Sequence, residues 1–123
     1  MKPLKILIVE DDAALATILG GIFQREGWQV STAKNGPVAI EMAHREVPDA
    51  MVLDIMIPKI DGFEVCKTLR GDPKTTHIKI IMLTALSRSI DRDAARAAGA
   101  VDFITKPFDT QRLVQRIREV VRP

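Results

Sequence analysis

Apolar residues run along the 123-residue chain in two alternating rhythms. Short blocks such as "KILIV", "AMVL" and "KIIML" are almost continuously aliphatic, whereas the stretches between them repeat their apolar positions every three or four residues. The first rhythm marks strands buried on both faces and the second marks amphipathic helices. Strands are predicted near 4–9, 29–33, 50–54, 79–84 and 101–104. A helix over 13–26 stops at Gly27, a residue suited to a left-handed cap. The second helix starts at Pro37, behind Gly36, and must end before Pro48. The third covers about 62–70 and closes at "RGDP", where Gly71 and Pro73 break the pattern. The fourth lies between Ser87 and Ala98, ending at Gly99. The last begins behind Asp109, a good N-cap, with Leu113, Ile117, Val120 and Val121 as its apolar stripe.

Five β/α units in strict alternation predict a parallel sheet with helices on both faces, because parallel crossovers are right-handed and each helix must bury its stripe. The expected class is the flavodoxin-like doubly wound (βα)5 sheet with strand order 2-1-3-4-5. In that order strands 1 and 3 are neighbours at the topological switch point, beyond whose carboxyl ends ligands bind. Glu10 and Asp11 follow strand 1, Asp54 ends strand 3, Thr84 ends strand 4 and Lys106 follows strand 5. All five should therefore meet at one edge of the sheet.

Composition narrows the classes without naming a ligand. Hydrophobic residues make up 46% of the chain, enough for one compact unit spanning 1–123. Eighteen Lys and Arg against sixteen Asp and Glu leave +2, too small a bias to point to nucleic acid or anionic lipid. No apolar run reaches the roughly 18 residues of a membrane span, and the start "MKPLK" has no signal-peptide core, so a cytoplasmic chain without membrane contact is expected. Cys66, the one cysteine, falls in a helical pattern and reads as a reduced, buried thiol. His44 and His77 have no partner at metal spacing.

The chemistry of the convergent edge is more specific. Crowded carboxylates repel one another and take up protons unless a cation compensates them. An all-oxygen set without His or Cys suits Mg²⁺, which binds one or two carboxylates, keeps several waters and accepts phosphate oxygens. Lys106 across from such a site, with the Thr84 hydroxyl nearby, suits an anion that comes and goes. Phosphoryl transfer to Asp54 is the reaction this set fits, with metal and Lys106 neutralising charge. Asp12, third in the acidic run, reads as the cap of the first helix.

The motifs "ILIVEDD", "DAMVLDIMIPKIDGFEV", "IIMLTA" and "DFITKPF", in that order, make the chain from Leu4 to about Arg122 closely similar to the receiver domain of two-component response regulators, the stand-alone chemotaxis regulators included. The resemblance implies that Asp54 is the phosphoacceptor, loaded from phosphohistidine of a histidine kinase or a histidine phosphotransfer protein. It implies that Asp11 ligates Mg²⁺ directly, that Glu10 acts mainly through water, and that the Met56 backbone carbonyl completes the site; Mn²⁺ can substitute. Thr84 and Lys106 match the phosphoryl-sensing hydroxyl and the lysine of the pattern, and Lys106-Pro107 matches its cis peptide. Phe103 stands at the switch-aromatic position, so the implied output is a remodelled face of helix 4, strand 5 and helix 5. Apart from its own phosphorylation and dephosphorylation, such a chain is a regulator and not an enzyme.

Several positions give this chain its own character. Met56 and Leu86, two residues beyond Asp54 and Thr84, are apolar and help an attacking water little, so slow autodephosphorylation is expected; the small Ala85 leaves the approach open. Helix 1, "AALATILGGIF", carries no charge, and Gly20 and Gly21 each cost about 1 kcal/mol against Ala. Such a smooth surface fits docking of a kinase or phosphotransfer helix pair, with the loop between strand 5 and helix 5 beside it; tight packing in the core is the competing explanation. Arg88, Arg92 and Arg96 on helix 4, with Arg112, Arg116, Arg118 and Arg122 on helix 5, are a solvated face that an acidic partner or a self-dimer could use. Receivers joined to winged-helix DNA-binding domains usually carry an acid where Arg112 stands and an acidic pair where Val101 and Asp102 stand, which argues against that dimer and against direct DNA binding.

Two other classes share parts of this pattern. Haloacid-dehalogenase-type phosphatases also use Asp, Mg²⁺, Thr and Lys, but need a second Asp where Met56 stands. Flavodoxin-like carriers need a Ser/Thr/Gly-rich phosphate loop after strand 1, and here that stretch is acidic.

Overall fold

The computed structural model describes residues 2–122, so Met1 and Pro123 of the expected 1–123 unit lie outside it. Within that range ten elements alternate: β1 Lys5–Val9, α1 Ala13–Arg25, β2 Gln29–Ala33, α2 Gly36–Glu46, β3 Ala50–Leu53, α3 Gly62–Arg70, β4 Lys79–Thr84, α4 Ser89–Ala98, β5 Asp102–Thr105 and α5 Thr110–Val121. The five strands pair in parallel in the order β2-β1-β3-β4-β5.

The aliphatic blocks fill the centre of this sheet because a pleated strand sends successive side chains to opposite faces. Leu7, Val9, Met51, Leu53, Ile80 and Met82 enter one core with Ala39, Val65 and Ala95 of α2, α3 and α4. Ile6, Ile8, Ala50, Val52, Ile81 and Leu83 enter the other with Leu19 and Phe23 of α1 and Leu113, Val114 and Ile117 of α5. Each central strand thus serves two layers, which is why its sequence shows no polar alternation. Cys66 is buried in the first core, and burial pushes its thiol up to about 11.

Local chemistry sets the helix starts. Asp12, Asn35, Asp61 and Asp109 accept hydrogen bonds from amides of the first turn of α1, α2, α3 and α5. Helix α4 differs: its N-cap is Arg88, with no side-chain cap bond.

Several boundaries differ by one residue from the sequence expectation: β1 begins at Lys5 instead of Leu4, α1 ends at Arg25 instead of Glu26, β3 ends at Leu53 instead of Asp54, and two further shifts have a local cause. Helix α2 begins at Gly36, not at Pro37, because Asn35 captures the Val38 amide and places the cap one residue earlier. Strand β5 covers Asp102–Thr105, shifted one residue from 101–104, since Val101 lies 39% exposed and its amide bonds only to the Ile80 carbonyl. A β-branched residue reads as strand, but here it turns outward just before the ladder begins. Val114 joins the buried stripe of α5, while Val120 and Val121 are only partly buried.

Gly62 places α3 against the end of β3. Its amide donates to the Ile55 carbonyl at 2.8 Å, and a Cβ there would come within 2.7 Å of Ile55 Cα and 2.8 Å of the Asp54 carbonyl oxygen. Only a residue without a side chain allows that approach.

Candidate functional site

The ladder continues one step past β1 and β3, and this step fixes the site. The Glu10 amide donates to the Ala33 carbonyl at 3.0 Å, and the Asp54 amide donates to the Val9 carbonyl at 3.0 Å. Both carboxylates are therefore carried on registered backbone at the switch point, not on free loop. Glu10 is 5% exposed and Asp54 7%.

Lys106 joins them. Its ammonium donates to Glu10 Oε1 at 2.9 Å and to Asp54 Oδ2 at 2.8 Å, although it lies 96 and 52 residues away in sequence. The lysine is held there because its own amide donates to the Thr84 carbonyl at 2.8 Å, tying the start of the β5–α5 loop to the end of β4. Asp54 Oδ1 accepts from the Met56 amide at 3.0 Å, so each carboxylate oxygen has a partner. Glu10 Oε2 accepts from the Asp12 amide at 3.2 Å, while Asp12 itself caps α1 through Ala14 and Leu15.

Electrostatics follow from this geometry. Burial pushes the Glu10 carboxyl above its ordinary 4.5, against the pull of the Lys106 hydrogen bond. Burial also opposes the Lys106 charge, but its hydrogen bonds to Asp54 and Glu10 outweigh that and hold the ammonium above 10.5. Oxygens of Glu10, Asp11 and Asp54 lie within 4.8 Å of one another, the one such cluster of potential metal ligands among the described residues. Three carboxylates face one ammonium, leaving a deficit that one divalent cation matches. The donors are hard oxygens, and the exposed Asp11 gives the cluster a side open to water. The residues fit Mg²⁺.

The remaining residues of interest surround this centre. Thr84 is fully buried, and its hydroxyl accepts from the Leu86 amide at 3.3 Å. Met56 is 62% exposed, Ala85 is exposed, and Leu86 packs partly against the first core. The Lys106-Pro107 peptide is cis. Phe103 is 7% exposed, and the Arg92 guanidinium lies 5.0 Å from its ring centroid. That last contact has no sequence signal: periodicity placed Arg92 on the outer face of α4 but not over a residue of β5. A similar silence covers Asp91, a buried carboxylate that takes Nε and Nη2 of Arg88 at 3.1 and 3.2 Å. His44 and His77 stand outside the carboxylate cluster, and His44 is bonded instead to Asp72 at 2.6 Å. No helix of the described residues is long and apolar enough to cross a membrane.

Known proteins resemble this chain over nearly its whole length. Residues 6–118 match the model of the response regulator receiver domain. Response regulator PleD of Caulobacter vibrioides is 43% identical over 118 residues, covering 96% of this chain and 26% of PleD. The alkaline phosphatase synthesis transcriptional regulatory protein PhoP of Bacillus subtilis is 40% identical, over 96% of this chain and 48% of PhoP. The chain thus spans less than half the length of either relative. Among solved structures, a putative response regulator from Chloroflexus aurantiacus superposes with a TM-score of 0.92 at 37% identity, covering 98% of both chains. Nothing in these matches supports a dehalogenase-type phosphatase or a flavodoxin-like carrier. With a buried Glu10–Lys106–Asp54 centre at the switch point and a family match over nearly all its length, the chain belongs to the response regulator receiver domain family, the phosphorylation-activated switch of two-component signalling.

Proposed function

We propose that Asp54 accepts a phosphoryl group from the phosphohistidine of a histidine kinase or a histidine phosphotransfer protein. The observation that carries this reading is the Lys106 ammonium bridging the two buried carboxylates, Glu10 and Asp54, at the carboxyl edge of the sheet. A carboxylate oxygen of Asp54 attacks phosphorus, the bond to the donor imidazole nitrogen breaks, and its electron pair leaves with that nitrogen. Asp54 acts without a general base. Lys106 passes from the Asp54 carboxylate to the incoming phosphoryl oxygens, and the buried Thr84 hydroxyl exchanges the Leu86 amide for the same group. Glu10, Asp11, Asp54 and the Met56 carbonyl would hold Mg²⁺ or Mn²⁺. When bound, the metal supplies positive charge that neutralises the phosphoryl oxygens.

Thr84 begins the path to the output. Its movement draws on the β4–α4 loop through Leu86, and Phe103 of β5 responds by shifting within its pocket beside α4. The face of α4, β5 and α5 then differs between the two states and meets a downstream protein or a second copy; the chain itself contacts no DNA or membrane. Loading occurs through α1 and the β5–α5 loop. The helix supports this: Ile18 is 57% exposed, and a Cβ added at Gly21 would meet nothing within 4 Å, so packing within the chain does not require that glycine. The exposed Met56 and Ala85 and the apolar Leu86 offer no side chain to orient a hydrolytic water, which supports slow loss of the phosphoryl group. Residues 1–123 act as one receiver unit in the cytoplasm, where its kinase is supplied with nucleotide.

A phosphotransfer profile against the kinases and phosphotransfer proteins of its source tests this reading. One donor should load the wild type rapidly with Mg²⁺ present and leave Asp54→Ala unlabelled. Equal labelling of that variant would sink the assignment.

A further inference from the structure

Resting on the Asp54 reading above, we propose that Met56 is a redox modification site: a small hydroperoxide oxidises its thioether to the sulfoxide, and the added oxygen shortens the life of the phosphoryl group on Asp54.

The backbone sends this side chain outward. Its neighbours Ile55 and Ile57 are 3% and 8% exposed and both belong to the first core, whereas Met56 between them is 62% exposed. The segment is anchored on both sides of the phosphoacceptor. The Gly62 amide donates to the Ile55 carbonyl at 2.8 Å, and the Met56 amide donates to Asp54 Oδ1 at 3.0 Å. An exposed thioether is thus carried on fixed chain directly beside Asp54.

The other sulfur atoms of the described residues are shielded. Met51 and Met82 are fully buried, Met42 is partly buried against the first core, and the fifth methionine, Met1, lies outside the described residues. Cys66 is buried as well, and burial pushes its thiol up to about 11, far from the thiolate that oxidants attack. Susceptibility follows exposure, which singles out Met56.

The chemistry is a two-electron oxygen transfer. A lone pair of the Met56 sulfur attacks one oxygen of hydrogen peroxide, the O–O bond breaks, and the second oxygen takes the proton of the first and leaves as water. Sulfur is oxidised and the peroxide reduced. A flexible apolar group becomes a polar one that accepts hydrogen bonds.

Its effect follows from what stands around it. Ala85 is exposed, Leu86 packs partly against the first core, and the Lys106 ammonium only donates, so Met56, Ala85 and Leu86 leave their flank of the site without a side-chain acceptor. The sulfoxide oxygen supplies one. A water whose O–H is held there keeps a lone pair free for attack on phosphorus. Orientation by one neutral hydrogen bond, without a general base, corresponds to about two- to tenfold in rate.

The test treats the full chain with dilute hydrogen peroxide and maps the added oxygen by peptide mass spectrometry. Met56 should be oxidised before Met42, Met51 and Met82. After loading with a small-molecule phosphodonor and Mg²⁺, the oxidised protein should lose its acyl phosphate about two- to tenfold faster than the untreated one. Methionine sulfoxide reductases acting on both epimers should restore the slow rate, and Met56→Leu should show one rate with or without peroxide. Earlier oxidation of the buried methionines, an unchanged or slower rate with Met56 oxidised, a rate that reduction does not restore, or a Met56→Leu variant that still responds overturns the inference. Failure of the untreated wild type to form an acyl phosphate, or its persistence in Asp54→Ala, overturns instead the Asp54 reading on which it rests.

Discussion

Lys106→Met isolates the electrostatics of the site. Each of its two contacts, at 2.8 and 2.9 Å, represents about 6 kcal/mol of attraction at an effective dielectric of about 20. Most of that is offset by desolvation of an ammonium that is only 23% exposed. The variant still leaves two buried carboxylates facing each other without a cation, an imbalance that typically costs about 3–5 kcal/mol. Because water reaches the edge, the expected loss is the lower figure of about 2–3 kcal/mol. Urea unfolding without metal should show this deficit. Removing a unit charge from beside the carboxylate cluster should also tighten Mg²⁺ about tenfold, so saturating Mg²⁺ should stabilise the variant by about 1.4 kcal/mol more than the wild type. Equal stability without metal, or the same Mg²⁺ increment in both proteins, would refute the picture of Lys106 as the charge that balances Glu10 and Asp54.

Three other expectations follow. Met56→Asn should speed loss of the acyl phosphate at least about tenfold, below the 10²–10⁴ of a full general base, and a wild-type lifetime of only seconds would count against the slow-hydrolysis reading. Gly21→Ala should raise stability by about 0.5–1 kcal/mol in chemical denaturation, because its Cβ meets nothing, while Gly21→Glu and Ala14→Glu should slow phosphotransfer without unfolding the chain. His44 donates from Nδ1 to the Ile40 carbonyl and from Nε2 to Asp72, which raises its pKa above 6.5 and needs both nitrogens protonated. A raised histidine stabilises fully below its unfolded value and loses that contribution as pH rises through the folded one, so the melting temperature should fall as pH is raised above about 6.5, and the fall should be absent in His44→Gln.

The central strands were legible because residues buried on both faces leave no choice of side, and the caps at Asp12 and Asp109 because an acceptor before an apolar stripe has one good use. Convergence of Glu10, Asp54 and Lys106 followed from topology alone: every strand of a parallel sheet ends at the same edge. Less could be read where contacts cross between elements. Whether Asn35 or Gly36 starts α2 depends on one captured amide, and sequence spacing cannot reveal that Arg92 reaches over Phe103 or that Asp91 is buried under Arg88. The glycines of α1 show the same limit in reverse. Tight packing and an open docking surface give the same letters, and the empty space around Gly21 removes only the packing explanation at that position.

The central claim is that Asp54, and no other residue, carries the phosphoryl group. Its most direct test is to phosphorylate the chain with a small-molecule donor and Mg²⁺, reduce the acyl phosphate with borohydride and locate the resulting homoserine by peptide mass spectrometry. The modification should fall on Asp54 and disappear in Asp54→Ala. Homoserine at Asp11, Asp12 or any other position, or a phosphoryl adduct that survives in Asp54→Ala, would contradict it.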